Sequence, residues 1–399
     1  MQTVEHIPEQ RQIPAPIGEP ESAYVHIPFC AHKCGYCDFA SVAGQDDRRE
    51  EYLTALDAEM ASLLQHPRSV RTIFVGGGTP TYLSHHQLER LLLRLRYWFP
   101  QDSLMEFTVE ANPETVDAQK IDILADHGVT RISLGAQSFQ PQHLVTLERQ
   151  HSPGYVDRAV EIVRKRIDNF SLDLIFGVPG QTLEQWQSDL ERLLQLGPKH
   201  CSTYGLTYEK GTPLWRQRSE GVIRPIDEEL ELAMYEHSMD RLRDAGFEQY
   251  EISNFAKLAD FGADGANYRC QHNLTYWAND PCFGFGTGAA AYVGGTRTLN
   301  TRELNAYIQR CISGISPVSQ SETLEPVDRA KETAIVNLRR LDGIVKEQFL
   351  RQTGFAIEDL IGDVVRRFVQ YGLLEDDGKI IRFTRRGLTL SDSVFGAIL

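Results

Sequence analysis

The chain has 399 residues, with 41 basic against 55 acidic side chains, a net charge of −14 and a 41% hydrophobic share. These are the proportions of an ordinary globular protein of two or three domains, or of one large α/β barrel with an appendage. The acidic surface repels phosphate backbones and argues against general nucleic-acid binding, and no run of 18 apolar residues offers a membrane span.

Residues 1–22 hold four prolines and lack the basic start and apolar core of a secretory leader, so they read as a disordered tail and the default compartment is the cytoplasm. From there β-rich runs alternate with helical stretches. Strands are expected at 23–27, 71–75, 105–110, 130–134, 170–176 and 201–207. Helices are expected between them at 47–64, 84–98, 114–126, 154–166 and 182–196, the second opened by the N-cap Ser84. Six β/α units imply a parallel sheet, and the fold class is α/β: a partial (β/α)6 barrel of TIM type. In such barrels chemistry gathers at the carboxyl ends of the strands. Cys30, Gly76–Gly78, Glu110, Gln137 and Asp173 all fall at or near those ends. Beyond about Pro225 a helix at 227–245 leads to a Gly- and aromatic-rich segment, 262–295, that breaks the periodicity. After Glu322, helices alternate with short strand signals (331–340, 346–353, 357–371, 380–383, 384–395), which reads as a small helical domain of winged-helix character.

Seven cysteines occur, and three crowd into Cys30-Ala31-His32-Lys33-Cys34-Gly35-Tyr36-Cys37, a C-x3-C-x2-C spacing. A disulfide framework does not suit a long chain without a leader. Zinc usually takes a fourth ligand, and the next cysteine is Cys201. Three thiolates on a [4Fe–4S] cube leave one iron without a protein ligand. The amino and carboxylate groups of S-adenosylmethionine can chelate that iron, which sets the sulfonium beside a reductant able to break its C5′–S bond. Gly35 lets the loop close tightly, and Tyr36 can pack on the adenine. Cys201, Cys282 and Cys311 have no ligating spacing and read as buried apolar residues.

The stretch Tyr24-Val25-His26-Ile27-Pro28-Phe29-Cys30 through Asp38-Phe39 resembles the HemN/HemW branch of the radical S-adenosylmethionine superfamily, and the resemblance extends to the C-terminal end. It implies residues 23–240 as the radical SAM partial barrel, 241–320 as a barrel extension carrying a haem-binding motif, and 321–399 as a HemN-like C-terminal domain. It also implies that Cys30, Cys34 and Cys37 hold the cluster. Gly77, Gly78 and Thr79 would take the methionyl end of S-adenosylmethionine, and Tyr24, Glu110, Gln137, Arg149 and Asp173 would contact the same molecule. Arg149 suits the carboxylate, while the acids suit the ammonium or the ribose. A plain β-turn competes as a reading of the glycine run, and a buried salt bridge as a reading of each polar residue.

Coproporphyrinogen-oxidising members of the branch carry a further cysteine two residues after the third ligand. Here that position is Phe39, which is the pattern of the haem-chaperone members. His272-Asn273-Leu274-Thr275-Tyr276 fits their H-N-x-x-Y haem motif, with His272 and Tyr276 as haem ligands and Cys270 as a further candidate thiolate. Trp277, Phe283 and Phe285 could cover the macrocycle. A hydrogen-bonded core histidine is the competing reading of His272. The function implied is a haem chaperone that binds haem, a [4Fe–4S] cluster and S-adenosylmethionine and passes haem to acceptor proteins, with no catalytic residue assigned. The alternatives are an oxygen-independent coproporphyrinogen III oxidase and a radical enzyme acting on another substrate. A homodimer and peripheral membrane contact are left open.

Overall fold

The structure is a computed structural model that describes residues 17–258 and 268–399. Residues 1–16 of the expected tail, and 262–267 of the expected Gly- and aromatic-rich segment, lie outside the described residues.

Six strands stand where the β-rich runs are: β1 Ser22–Ile27, β2 Thr72–Gly77, β3 Glu106–Ala111, β4 Arg131–Gln137, β5 Phe170–Phe176 and β6 His200–Gly205. Each pairs in parallel with the next. The intervening helices are Arg49–Leu64, His85–Trp98, Ala118–Asp126, Pro153–Arg164 and Leu183–Leu196. Two of them open with reciprocal caps, Ser84 with Gln87 and Thr182 with Gln185, which satisfy backbone donors that the first helical turn leaves without partners. The third starts at Ala118 rather than 114, because Pro113 opens a short 3-10 turn and Asp117 is the cap that accepts from the Lys120 N–H at 2.8 Å.

Alternation along the strands sorts the side chains. One face carries Ala23, Val25 and Ile27, Ile73 and Val75, Phe107 and Val109, Ile132 and Leu134, and Leu172 and Leu174, all buried. The opposite face carries Tyr24 and His26, Gly76, Thr108 and Glu110, Ser133 and Gly135, Ser171 and Asp173, and Ser202 and Tyr204. Barrel interiors are ordinarily filled by branched apolar side chains. A polar, glycine-dotted interior costs stability unless its groups are partnered, and here it lines a cavity.

Three strands extend the sheet: β7 Phe247–Gln249, β8 Asn254–Lys257 and β9 Phe283–Phe285. The order is β9-β1-β2-β3-β4-β5-β6-β8-β7. The first seven are parallel and β8 and β7 are antiparallel. The periodicity does not disclose β9. It is three residues long, yet it pairs beside β1 through Ala23 with Phe283 and Val25 with Phe285. A buried carboxylate holds the turn that follows it. Glu59 accepts from the Gly286 N–H at 2.8 Å, from Asn300 Nδ2 at 2.6 Å and from Tyr307 Oη at 2.6 Å. Gly286 has φ +99°, and a Cβ there would come within 2.6 Å of the His26 carbonyl, so glycine is required.

The chain divides into two compact units. One comprises Glu19–Thr275 with Pro281–Glu322, and the other includes Tyr276–Asp280 with Thr323–Leu399. In the latter, Pro326–Leu338, Ile344–Val345, Lys346–Thr353, Ile357–Gln370, Leu374–Asp376 and Ile380–Phe383 follow the helix–strand–helix–helix–strand–strand order of a winged helix. The three short strands pair antiparallel, with Ile380–Phe383 at the centre. The helix expected at 384–395 is two helices, Arg385–Thr389 and Ser391–Ile398, because Leu390 leaves helical geometry at φ −124°. Among the described residues, no helix is long and apolar enough to cross a membrane.

Candidate functional site

The loop after β1 is pinned at several points. Phe29 and Cys30 pair in parallel with Val42 and Ala43. The Cys37 N–H donates to the Cys34 carbonyl at 3.1 Å, and Lys33 Nζ donates to the carbonyls of Phe39 and Ser41 at 3.2 and 3.3 Å. His26 Nε2 lies 3.0 Å from the Ala40 carbonyl, which can only accept, so Nε2 carries the proton and Nδ1 accepts from Tyr24 Oη at 3.0 Å. Burial holds His26 neutral, its pKa lowered to about 4. Gly35 sits where a Cβ would come within 2.6 Å of Leu214 Cδ1, so its small size serves the close packing of the loop.

Cys30, Cys34 and Cys37 all line one cavity of about 520 Å³, built on the carboxyl ends of the strands. Each thiol has a polar neighbour: Thr79 Oγ1 donates to Cys30 Sγ at 3.5 Å, Arg149 Nη1 to Cys34 Sγ at 3.6 Å, and Ser41 Oγ lies 3.9 Å from Cys37 Sγ. Burial raises Cys30 to about 11, against the opposing pull of Thr79, and it raises Cys34 against that of Arg149. Both remain thiols near neutrality until a cation offsets the cost of their charge.

The cavity wall takes one contribution from each strand end. Gly77 and Gly78 close β2: a Cβ on Gly77 would strike the His26 ring, and one on Gly78 the Pro28 backbone. Thus the glycines are needed for the approach of β2 to β1 as well as for the cavity surface. Glu110 accepts from the Gly77 N–H at 3.0 Å, and burial, reinforced by Asp173, lifts its pKa to about 7. Asp173 is raised by burial in spite of three hydroxyl donors, Ser202 at 2.7 Å, Ser133 at 2.8 Å and Ser171 at 3.1 Å. Gln137 ends β4 at φ +64° beside a register shift, a local irregularity that re-aims its side chain into the wall. Arg149 donates through Nη2 to Asn112 Oδ1 at 2.7 Å and to the Gly135 carbonyl at 2.9 Å, while its buried Nε has no partner. Tyr36 lines the cavity and packs against Leu147, Ile175, Val178, Leu206 and Leu214.

Ten of the expected residues therefore share the cavity, and four do not. Tyr24, expected to touch S-adenosylmethionine, is half-buried and stacked on Phe74 at 6.2 Å between ring centroids, and it does not line the cavity. Thr79, expected at the methionyl end, lies beneath the wall and bonds to Cys30 instead. His272, expected as a haem ligand, is a packing residue in this structure: it is 0% exposed, 2.9 Å from Thr72 Oγ1, with its ring 5.2 Å from that of Phe74. Thr72 opens β2, so His272 sits at the amino end of the sheet, away from the cysteine loop. Burial lowers its pKa to about 3. Tyr276, on the same helix Gln271–Trp277, is partly exposed and does not line the cavity. Cys270 is buried against Glu106 Oε1 at 3.4 Å. Asn112 and Ser133 were not anticipated, although strand alternation points to both: Asn112 falls two residues after Glu110, and Ser133 four before Gln137.

The donor set fits a polynuclear iron centre. Three thiols line one cavity, and thiolates are the soft ligands that iron–sulfur clusters take. The unpartnered Arg149 Nε leaves a donor for a ligand carboxylate.

Fold and site together define a radical S-adenosylmethionine protein. The Radical SAM superfamily model matches residues 24–193, and the HemN C-terminal domain model matches residues 324–390. The chain is 37% identical to the heme chaperone HemW of Bacillus subtilis over 383 residues, covering 95% of this chain and 99% of that one. It is 34% identical to the heme chaperone HemW of Escherichia coli, covering 95% and 98%. Among solved structures it resembles coproporphyrinogen III oxidase (HemN) from Escherichia coli, a radical SAM enzyme, with a TM-score of 0.82 at 23% identity over 95% of this chain and 90% of that one. The chain belongs to the heme chaperone HemW family.

Proposed function

We propose that this protein is a haem chaperone that holds a [4Fe–4S] cluster on Cys30, Cys34 and Cys37, takes S-adenosylmethionine into the adjoining cavity and passes haem to acceptor proteins. When bound, a three-thiolate cluster supplies an electron and one iron with an open coordination position. The protein's own groups position and shield. Asp173, held by three serine hydroxyls, offers acceptors suited to ribose hydroxyls. Glu110 titrates near neutrality and can face an ammonium group as a carboxylate. Arg149, whose buried Nε has no partner, suits a carboxylate.

The observation that carries the chaperone reading is Phe39. It lines the cavity and is 62% exposed, where the coproporphyrinogen-oxidising pattern has a fourth cysteine. The other four cysteines are buried away from the cavity. An apolar ring exposed at a cavity rim suits a flat apolar macrocycle. Haem ligation through His272 would require breaking its bond to Thr72 and unpacking its ring, so that assignment needs its own test. Seven free cysteines suit a reducing, cytoplasmic setting, and the net charge of −14 favours acceptors with a basic face.

The test is anaerobic reconstitution followed by two assays on one preparation. Added haem should give a saturable Soret band. Coproporphyrinogen III with reductant and S-adenosylmethionine should give no protoporphyrinogen. Protoporphyrinogen formation without saturable haem binding would replace the chaperone reading with the oxidase one.

A further inference from the structure

The polar groups behind the cysteine loop form one unbroken chain between two thiols. Thr79 Oγ1 lies 3.5 Å from Cys30 Sγ, Asn112 Nδ2 donates to Thr79 Oγ1 at 2.9 Å, Arg149 Nη2 donates to Asn112 Oδ1 at 2.7 Å, and Arg149 Nη1 lies 3.6 Å from Cys34 Sγ. Donor counting fixes the direction of every link. A guanidinium only donates, so Asn112 must turn Oδ1 toward Arg149 and Nδ2 toward Thr79. Thr79 Oγ1 then accepts from Asn112, which leaves its single proton for Cys30. Both ends of the chain therefore donate to sulfur. One amide, that of Asn112, joins both ends, and a side chain there that only accepts would turn the hydroxyl proton away from Cys30.

The surroundings hold this arrangement in place. Arg149 is fixed by a second bond to the Gly135 carbonyl at 2.9 Å. Behind it, His151 lies 3.5 Å from Glu114 and bonds to the Ala136 carbonyl at 3.1 Å. Thr79 is 1% exposed, so its hydroxyl has little water to turn to.

We propose that Asn112 is a positioning residue that couples the Cys30 and Cys34 sites and sets the reduction potential of the cluster they hold; this rests on the cluster reading above. Hydrogen bonds donated to ligand sulfurs draw off electron density and favour the reduced, more negative state, which raises the potential. Asn112 and Arg149 also line the cavity, so a molecule bound there touches the bridge as well as the cluster.

The experiment is an EPR-monitored redox titration of the full-length, anaerobically reconstituted protein, with iron and sulfide assayed in each sample. Asn112→Asp, whose two oxygens only accept, should draw the Thr79 proton away from Cys30 and shift the midpoint to more negative potential at unchanged iron and sulfide content. Thr79→Val, of the same shape, should give a smaller shift in the same direction. The double variant should go no further than Asn112→Asp alone, because a hydroxyl already turned away from the sulfur has nothing more to lose. An unchanged midpoint in Asn112→Asp, or shifts that simply add, would overturn the proposal and leave the cluster reading intact. A wild-type chain that takes up no cluster would overturn that reading itself. Should Asn112→Asp fail to retain iron, Thr79→Val decides, and an unshifted midpoint there counts against the bridge.

Discussion

Replacing His272 with alanine separates a packing role from an open-ligand role. The substitution deletes a fully buried imidazole, removes the 2.9 Å bond to Thr72 Oγ1, and empties the space beside the Phe74 and Tyr24 rings, whose centroids lie 5.2 and 6.5 Å away. Leaving the Thr72 hydroxyl without its partner costs about 1–3 kcal/mol. Removing a buried ring and leaving a cavity costs about 2–4 kcal/mol more, and since the two overlap, a loss of about 3–5 kcal/mol is expected. The loss depends on pH. In the unfolded chain the imidazole takes a proton below its ordinary value of about 6.5, whereas the folded protein refuses it until about 3. The unfolded state thus binds more protons in that window, and the wild type loses stability as pH falls through it. Alanine has nothing to protonate, so its deficit at pH 5 should be smaller than at pH 7.5 by about 2 kcal/mol, from roughly 1.5 pH units at about 1.4 kcal/mol each. Urea unfolding of the haem-free protein, followed by circular dichroism at both pH values, measures the deficit. A variant within about 0.5 kcal/mol of wild type at both would refute the packing described for His272, and a lost Soret band in that same stable variant would restore it as a ligand.

Glu59→Ala should destabilise by at least about 3 kcal/mol, because it leaves three donors (the Gly286 N–H, Asn300 Nδ2 and Tyr307 Oη) without their acceptor. Burial raises Glu59 to about 7. Between about pH 4.5 and 7 the folded state keeps a proton that the unfolded state has released, so this group makes wild-type stability fall as pH rises across the window. The variant should lack that part of the fall, as thermal unfolding at pH 5 and pH 8 will read. Gly286→Ala should cost about 2 kcal/mol or more, from a strained φ of +99° together with clashes at Tyr52 Oη and the His26 carbonyl. Gly294→Ala, at φ +58° with open space around it, should cost about 1 kcal/mol and serves as the control in differential scanning fluorimetry.

What could be read in advance follows the range of the physics. The six central strands are long apolar-rich runs bounded by turns, and the cysteine spacing is a local pattern, so both are legible. Glu110, Gln137 and Asp173 fall at or near strand ends, where barrels place their chemistry, and all three line the cavity. Strict alternation would also have disclosed Asn112 and Ser133. By contrast β9 is set by its pairing with β1 and by Glu59, more than two hundred residues earlier in the chain, and no short window contains that information. The H-N-x-x-Y spacing carries ligand chemistry but not the side of the sheet, and the fold puts His272 at the amino end of β2. Tyr24 and Thr79 were displaced for a related reason: each is adjacent in sequence to the site, but its side chain is used to hold His26 or Cys30.

The most direct test of the account is the metal content of anaerobically reconstituted protein, wild type beside Cys34→Ala. The account predicts about four irons and matching sulfide per wild-type chain, as a cubane requires, with a large loss of both in a Cys34→Ala protein that keeps the wild-type circular dichroism. Zinc in place of iron, or a Cys34→Ala variant that retains its full complement, would contradict it.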